Sequence, residues 1–172
     1  MSLFINTNTS RLQLREETYP CILGKSGAIA HSQGREGDGK TPIGSYKLRF
    51  GLYRADRLPA PPSPLIFHPL DANDGWCDDP DHPAYNRFIR LPFMVDHGAV
   101  SHETLWRDDP AYDIILIMSH NDSPPIAGLG SAVFLHIAQI DHRPTLGCVA
   151  LSPETMTMIL PSLTPHMDVI IR

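Results

Sequence analysis

The stretch Gly130-Ser131-Ala132-Val133-Phe134-Leu135-His136-Ile137-Ala138, continued at Pro144-Thr145-Leu146-Gly147-Cys148-Val149-Ala150-Leu151-Ser152, decides how the rest of the chain is read. From Val133 to Ala138 the residues are mostly β-branched or apolar, the composition of a buried strand, and one imidazole rides inside it. Asp141, His142, Arg143 and Pro144 make a turn that brings the chain back so that Cys148 faces His136. Gly147 lets the backbone approach a substrate closely and leaves the Cys148 N–H free for a developing oxyanion. Thiolate acyl transfer needs these parts, because a free thiol titrates at about 8.5 and requires a neighbouring imidazole to form the anion at neutral pH. Ser152-Pro153-Glu154 then reads as N-cap, first-turn proline and first-turn acid, opening a helix through about Leu160. Taken singly, His136 is a satisfied core histidine and Cys148 a small buried hydrophobe. Together, at this spacing, they favour the chemistry.

The 172 residues suit one domain, 1–172, large enough for a single core. A 42% hydrophobic and 19% charged composition is globular, and 17 prolines with 12 glycines imply many turns and short strands, hence a mainly β fold. With a net charge of −5 and no lysine or arginine cluster, nucleic acid is excluded as a partner. Cys21, Cys77 and Cys148 are an odd set without C-x-x-C spacing, which speaks for reduced thiols rather than a disulfide framework or a zinc site. No apolar run is long enough to span a membrane, and the first fifteen residues lack an export signal, so the expected location is cytoplasmic; a chain trimmed of its signal, and so periplasmic, reads the same. Oligomeric state is not written in the sequence.

In chain order, Leu3–Asn6 and Leu12–Leu14 suggest an opening hairpin. Tyr19–Leu23 and Ala28–His31 read as strands joined by a tight turn at Gly24-Lys25-Ser26-Gly27. Gly34 to Thr41 matches the Walker A phosphate loop letter by letter, but Pro42-Ile43-Gly44 and an alternating Ser45–Phe50 follow where a helix is required, so nucleotide binding is rejected. Residues 71–86 form a long polar loop; its aspartates alternate with prolines without fixed ligand geometry, so neither metal nor other cofactor is expected. Ser101–Trp106 reads as a short helical turn, with His97 and His102 as surface or capping residues. Ile114–Met118, the most continuous apolar run, is a central strand, and Val169–Ile171 closes the sheet.

Thr145-x-Gly147-Cys148 after a strand-borne histidine resembles the motif of the YkuD-type L,D-transpeptidases. The likeness extends through Gly39–Tyr46, Gly75–Pro80, Tyr85-Asn86, Tyr112-Asp113 and Gly128–Ala132. Three features depart from the better-known pattern: only twelve residues separate His136 from Cys148, Leu146 replaces a histidine, and Ala150 an arginine. They fall on the acceptor side of the site rather than on the nucleophile. The resemblance implies a YkuD-like β-sandwich with one or two short helices, one directly after the cysteine. It also implies a cysteine peptidase or transpeptidase acting on peptidoglycan stem tetrapeptides at the L,D bond before the terminal D-alanine. Cys148 is then the nucleophile and His136 its base, with Thr145 and Gly147 shaping the turn. Trp76 and Tyr85 are candidate pocket walls, Asp78 or Asp79 candidate ammonium partners, and Arg143 a candidate for the leaving carboxylate. His120 and Asn121, at the end of the central strand, line the cleft by the same resemblance. Hydrolysis of recycled cytoplasmic muropeptides is the expected reaction, with periplasmic transpeptidation as the alternative. A non-catalytic peptidoglycan-binding module is the alternative of another class.

Overall fold

The run from Ile114 to Met118 is apolar at every position because both faces of that strand are covered, and the main sheet is built outward from it. The computed structural model describes residues 1–95 and 98–172; His97 lies outside the described residues. The strands are β1 (Ser2–Asn6), β2 (Arg11–Leu14), β3 (Glu17–Pro20), β4 (Ala28–Ala30), β5 (Thr41–Tyr53), β6 (Phe67–Pro69), β7 (Asp74–Cys77) and β8 (Phe88–Arg90). They continue with β9 (Met94–Val95), β10 (Gly98–Ala99), β11 (His102–Thr104), β12 (Ile114–Met118), β13 (Phe134–Ile137), β14 (Val149–Leu151) and β15 (Asp168–Ile171). One α-helix, α1 (Pro153–Ile159), follows β14, capped by the Ser152 side chain, which accepts from the Thr155 N–H as its N-cap reading requires.

The order β14-β13-β12-β5-β15-β1-β2-β3 forms one barrel-like sheet, to which β4 and β6 add by pairing with β5. β11, β7 and β8 form a separate three-stranded sheet, and β9 pairs with β10. The chain is therefore mainly β, with its α-helix directly after Cys148, as the sequence implies.

Strand β5 serves two cores in succession. Tyr46 and Leu48 point into the larger one, shared with β1, β2, β15 and α1, whereas Phe50 and Leu52 point into a second one with Trp76, Leu105, Tyr112 and Phe134. All four positions are even-numbered, so a regular strand would send them to one face. The pairing resolves this: Phe50 stands opposite Ile117 and Leu48 opposite Met118, so Arg49 is the extra residue of a bulge that exchanges the faces. Through β12, Leu116 and Met118 fill the first core while Ile115 and Ile117 fill the second.

The small sheet is fastened to the large one through Asn86. Its side-chain oxygen accepts from the Trp76 indole at 2.8 Å and the Ala132 N–H at 3.2 Å. Its amide donates to the carbonyls of His120 at 2.9 Å and Asn121 at 2.8 Å. Every hydrogen-bonding site of this buried carboxamide is used, and its left-handed backbone (φ 55°) is one that asparagine tolerates.

Three local expectations are corrected. Gly24–Gly27 does not join a hairpin: β3 pairs with β2, while β4 runs parallel to β5, because residues 21–24 instead cover the edge of β14 through Ile22 and Ala150. His102–Thr104 is a strand rather than a helical turn, paired with β7. The supposed polar loop 71–86 contains β7, buried along its whole length. The Walker-like segment ends in strand β5, where Thr41 is fully buried and its hydroxyl accepts from the Gly24 N–H at 2.8 Å, so it is closed to a metal-bound phosphate.

Replacing Asn86 by alanine leaves two buried donors and two carbonyls without partners. It should cost about 3 kcal/mol and lower Tm by roughly 6–12 °C, read by calorimetric unfolding. A Tm unchanged within 2 °C would contradict this fastening role.

Candidate active site

Strands β13 and β14 run parallel and in register, with Leu135 opposite Val149 and His136 opposite Ala150. Leu135, Ile137, Val149 and Leu151 face the larger core, which leaves Phe134, His136, Cys148 and Ala150 together on the opposite face. Cys148 sits one residue before β14, level with the start of β13. Its Sγ accepts from the Phe134 N–H at 3.4 Å and donates to the Ala132 carbonyl at 3.2 Å. The small Ala150, 2% exposed, stands directly across from the imidazole and leaves room for it.

The His136 Nδ1 lies 2.7 Å from the Ile137 carbonyl. A carbonyl only accepts, so Nδ1 carries the proton and Nε2 is the free base of the neutral ring. The ring packs edge-on against Tyr112, centroids 5.2 Å apart. Burial lowers the His136 pKa, opposed by the Ile137 and Ala111 carbonyls, which favour the protonated ring. Burial also pushes the Cys148 thiol up to about 12, the Phe134 N–H working against it and the charge of Glu103 adding to it. Both directions describe a resting pair of neutral thiol and neutral imidazole.

The turn before the cysteine is locked from within. The Thr145 hydroxyl donates to the Cys148 carbonyl at 2.7 Å and accepts from the Gly147 N–H at 3.2 Å. The Gly147 amide is thus committed to Thr145. The Cys148 N–H makes no hydrogen bond among the described residues, and it is the amide left to serve an oxyanion. Gly147 itself answers to packing: its φ is 133°, and a Cβ would stand 2.9 Å from the Lys40 carbonyl oxygen. Lys40, His120, Ser131, Leu146 and Gly147 line a cleft of about 40 Å³ beside this turn.

The remaining sequence candidates divide. Trp76 meets Phe134 edge-on at 5.2 Å and so backs the nucleophile, but it is buried and its N–H belongs to Asn86. Tyr85 is also buried: its hydroxyl donates to Glu36 at 2.5 Å and accepts from the Gly130 N–H at 3.0 Å, holding the segment that leads to Ala132. Asn121 ties residues 121–130 through Ile126 and Gly130. His120 packs against His31 and Tyr46, and burial, with the charge of His31, depresses it to about 4. Asp79 accepts from the Asp81 N–H within its own turn. Arg143 is exposed and turned to Gln139 and Asp141. Asp78 has a sealed Oδ1 without a hydrogen-bond partner among the described residues.

Two residues of the site are given no role by the sequence. Tyr112 touches both Phe134 and His136, and Glu103 lies within electrostatic reach of Cys148, its own carboxyl raised by burial. Glu103 carries no local motif and is brought in by the pairing of β11 with β7, whereas Tyr112, marked only by the Tyr112-Asp113 likeness, arrives on the 3-10 turn Pro110–Tyr112 just ahead of β12. Among the described residues no group of three histidines, cysteines or acids is placed to hold a metal.

A family model described as YkuD, L,D-transpeptidase catalytic domain, matches residues 2–171. No curated protein and no solved structure matches significantly.

A neutral resting thiol predicts that iodoacetamide labels Cys148 slowly at pH 7 and about tenfold faster per pH unit up to pH 9, as the thiolate fraction grows. Labelling followed by peptide mass spectrometry measures this. A rate already at its plateau at pH 7 would mean a preformed thiolate–imidazolium pair.

Proposed function

Since the chain belongs to the YkuD L,D-transpeptidase catalytic domain family, which acts on peptidoglycan peptides through a cysteine, we propose that it is an L,D-carboxypeptidase. On this reading it removes the terminal D-alanine from stem tetrapeptides of recycled muropeptides in the cytoplasm. The observation that carries the choice of water as acceptor is the acceptor side of the turn. Leu146, 74% exposed, offers no polar group, Ala150 is covered, and Arg143 is occupied in its own turn. Leu146 and Ala150, where the better-known pattern carries a histidine and an arginine, thus offer a second peptide no polar group.

The chemistry follows from the geometry. Substrate entry turns Sγ from the Ala132 carbonyl to His136 Nε2, which takes the thiol proton. The thiolate attacks the carbonyl of the third residue, and the Cys148 N–H donates to the oxyanion. The carbon–nitrogen bond breaks, D-alanine leaves with the proton from His136, and a thioester remains on Cys148. Water then attacks the thioester while His136 accepts its proton, and that proton returns to the departing thiolate. Transpeptidation, the reaction for which the family is named, is the second reading. It differs only in replacing water by an amine.

A diaminopimelate tetrapeptide incubated with excess D-methionine should yield mainly tripeptide by mass spectrometry. Exchange of D-alanine for D-methionine as the main product would favour the transpeptidase. Cys148→Ala should abolish turnover, and His136→Ala should lower kcat by about 10²–10⁴-fold. No turnover by the unaltered protein would revive the binding-module reading.

A further inference from the structure

Residues 128–132 belong to no strand or helix, and they end on the nucleophile: the Ala132 carbonyl accepts from the Cys148 thiol at 3.2 Å. Three of the five hold left-handed backbone, Gly128 at φ 75°, Gly130 at 106° and Ala132 at 50°. For an alanine that conformation costs about 1 kcal/mol. The segment therefore keeps this shape only while its neighbours hold it. The cleft it borders measures about 40 Å³, whereas pockets that take small ligands run to roughly 300–1,000 Å³. A stem peptide reaches the thiol only after this segment moves.

Glu36 ties it down from across the cleft. Its N–H donates to the Gly128 carbonyl at 2.9 Å, and its Oε2 accepts from the Ser131 hydroxyl at 2.7 Å. The same oxygen accepts from the Tyr85 hydroxyl at 2.5 Å, which in turn accepts from the Gly130 N–H at 3.0 Å. Burial, and then the carboxylate itself, push the Tyr85 phenol above its ordinary value, so the hydroxyl stays a donor. The segment that carries Glu36 is a firm post. Asp38 accepts from the Arg35 and Lys40 N–H groups at 3.0 and 2.8 Å, the Gly39 carbonyl accepts from the Ser26 N–H at 3.0 Å, and Lys40 leads straight into β5. The stretch that looks like a phosphate loop thus has a use that needs no phosphate. Two further holds on the segment are buried, Asn86 on the Ala132 N–H and Asn121 on the Gly130 carbonyl. Glu36 is half-buried, so its hold is the one that water and a ligand can reach.

We propose that Glu36 is a latch: by gripping Ser131 and Tyr85 it keeps residues 128–132 shut over the Cys148 thiol, and substrate enters by releasing that grip. Part of the substrate's binding energy is spent on the release. For turnover this rests on the reading of Cys148 as the nucleophile, whereas access to the thiol is measured without it. Glu36 touches neither thiol nor imidazole. It is a positioning residue, acting through Ser131 and Ala132.

The test labels Cys148 at pH 9 with iodoacetamide and with the bulky iodoacetamidofluorescein, each rate divided by that of glutathione and read by peptide mass spectrometry. In Glu36→Gln the bulky-to-small ratio should rise roughly tenfold, the loss of a charge-assisted grip, while Cys21 and Cys77 label as slowly as before. Ser131→Ala, which removes one hydroxyl and leaves the carboxylate, should move the ratio the same way by a smaller factor, so the result does not hang on one variant folding. With a diaminopimelate tetrapeptide, Glu36→Gln should lower KM severalfold and leave kcat within threefold. A side chain that merely supports the fold would raise KM instead. An unchanged ratio in both variants, a rise shared by Cys21 and Cys77, or a higher KM overturns the latch. If no peptide is turned over by the unaltered protein, the peptidase reading fails separately, and the labelling ratio still decides.

Discussion

The in-register parallel pairing of β13 with β14 is the constraint on which the candidate site depends. Parallel neighbours carry equivalent positions on the same face, so a histidine in one strand and a cysteine two residues before its opposite number must share a surface. A shift by one residue would send Cys148 into the larger core and bring Val149 to the site. The pairing is held from both sides. The larger core grips Leu135, Ile137, Val149 and Leu151, and residues 22–25 bridge the outer edge of β14 and the Thr145 turn. The nucleophile therefore sits on backbone held from both sides, with the Cys148 N–H left over for the oxyanion, as a side chain that must meet its substrate within a fraction of an ångström requires.

Burial sets both the rest state and the chemistry. It raises the thiol and lowers the imidazole, so the pair stays neutral until a ligand changes the field. The Ala132 carbonyl gives the idle thiol an acceptor, and that carbonyl is itself positioned from afar. Asn86 accepts the Ala132 N–H, while Tyr85 and Ser131 share the Glu36 carboxylate. The loops around the cysteine thus depend on polar groups of the small sheet and of the Gly34–Lys40 segment.

Much of the frame can be read from the chain because its causes are local. The apolar runs of β12 and β13, the Ser152 cap and proline of α1 and the alternation of β1 and β2 carry their structures in adjacent residues. The proline and strand pattern after Lys40 likewise exposes the Walker-like segment as a loop into β5. What local pattern does not carry is pairing at a distance. The Arg49 bulge defeats a period-two reading of β5, because the exchange of faces is forced by β12 rather than by β5 itself. Trp76 and Tyr85 do reach the neighbourhood of the site, but their polar tips are consumed by Asn86 and Glu36, partners 10 and 49 residues away. Glu103 lies in a segment that reads as a helical turn, and only its pairing with β7 turns it toward Cys148.

The central claim is that Cys148 becomes covalently acylated with His136 as its base. Acid quenching of the protein within the first turnovers on a tetrapeptide, followed by intact-mass and peptide-level mass spectrometry, tests it most directly. The account predicts an adduct of the tetrapeptide less D-alanine, confined to the Cys148 peptide, absent in Cys148→Ala and strongly slowed in His136→Ala. Tripeptide released with no adduct at any time, or an adduct on Cys21 or Cys77 instead, would contradict it.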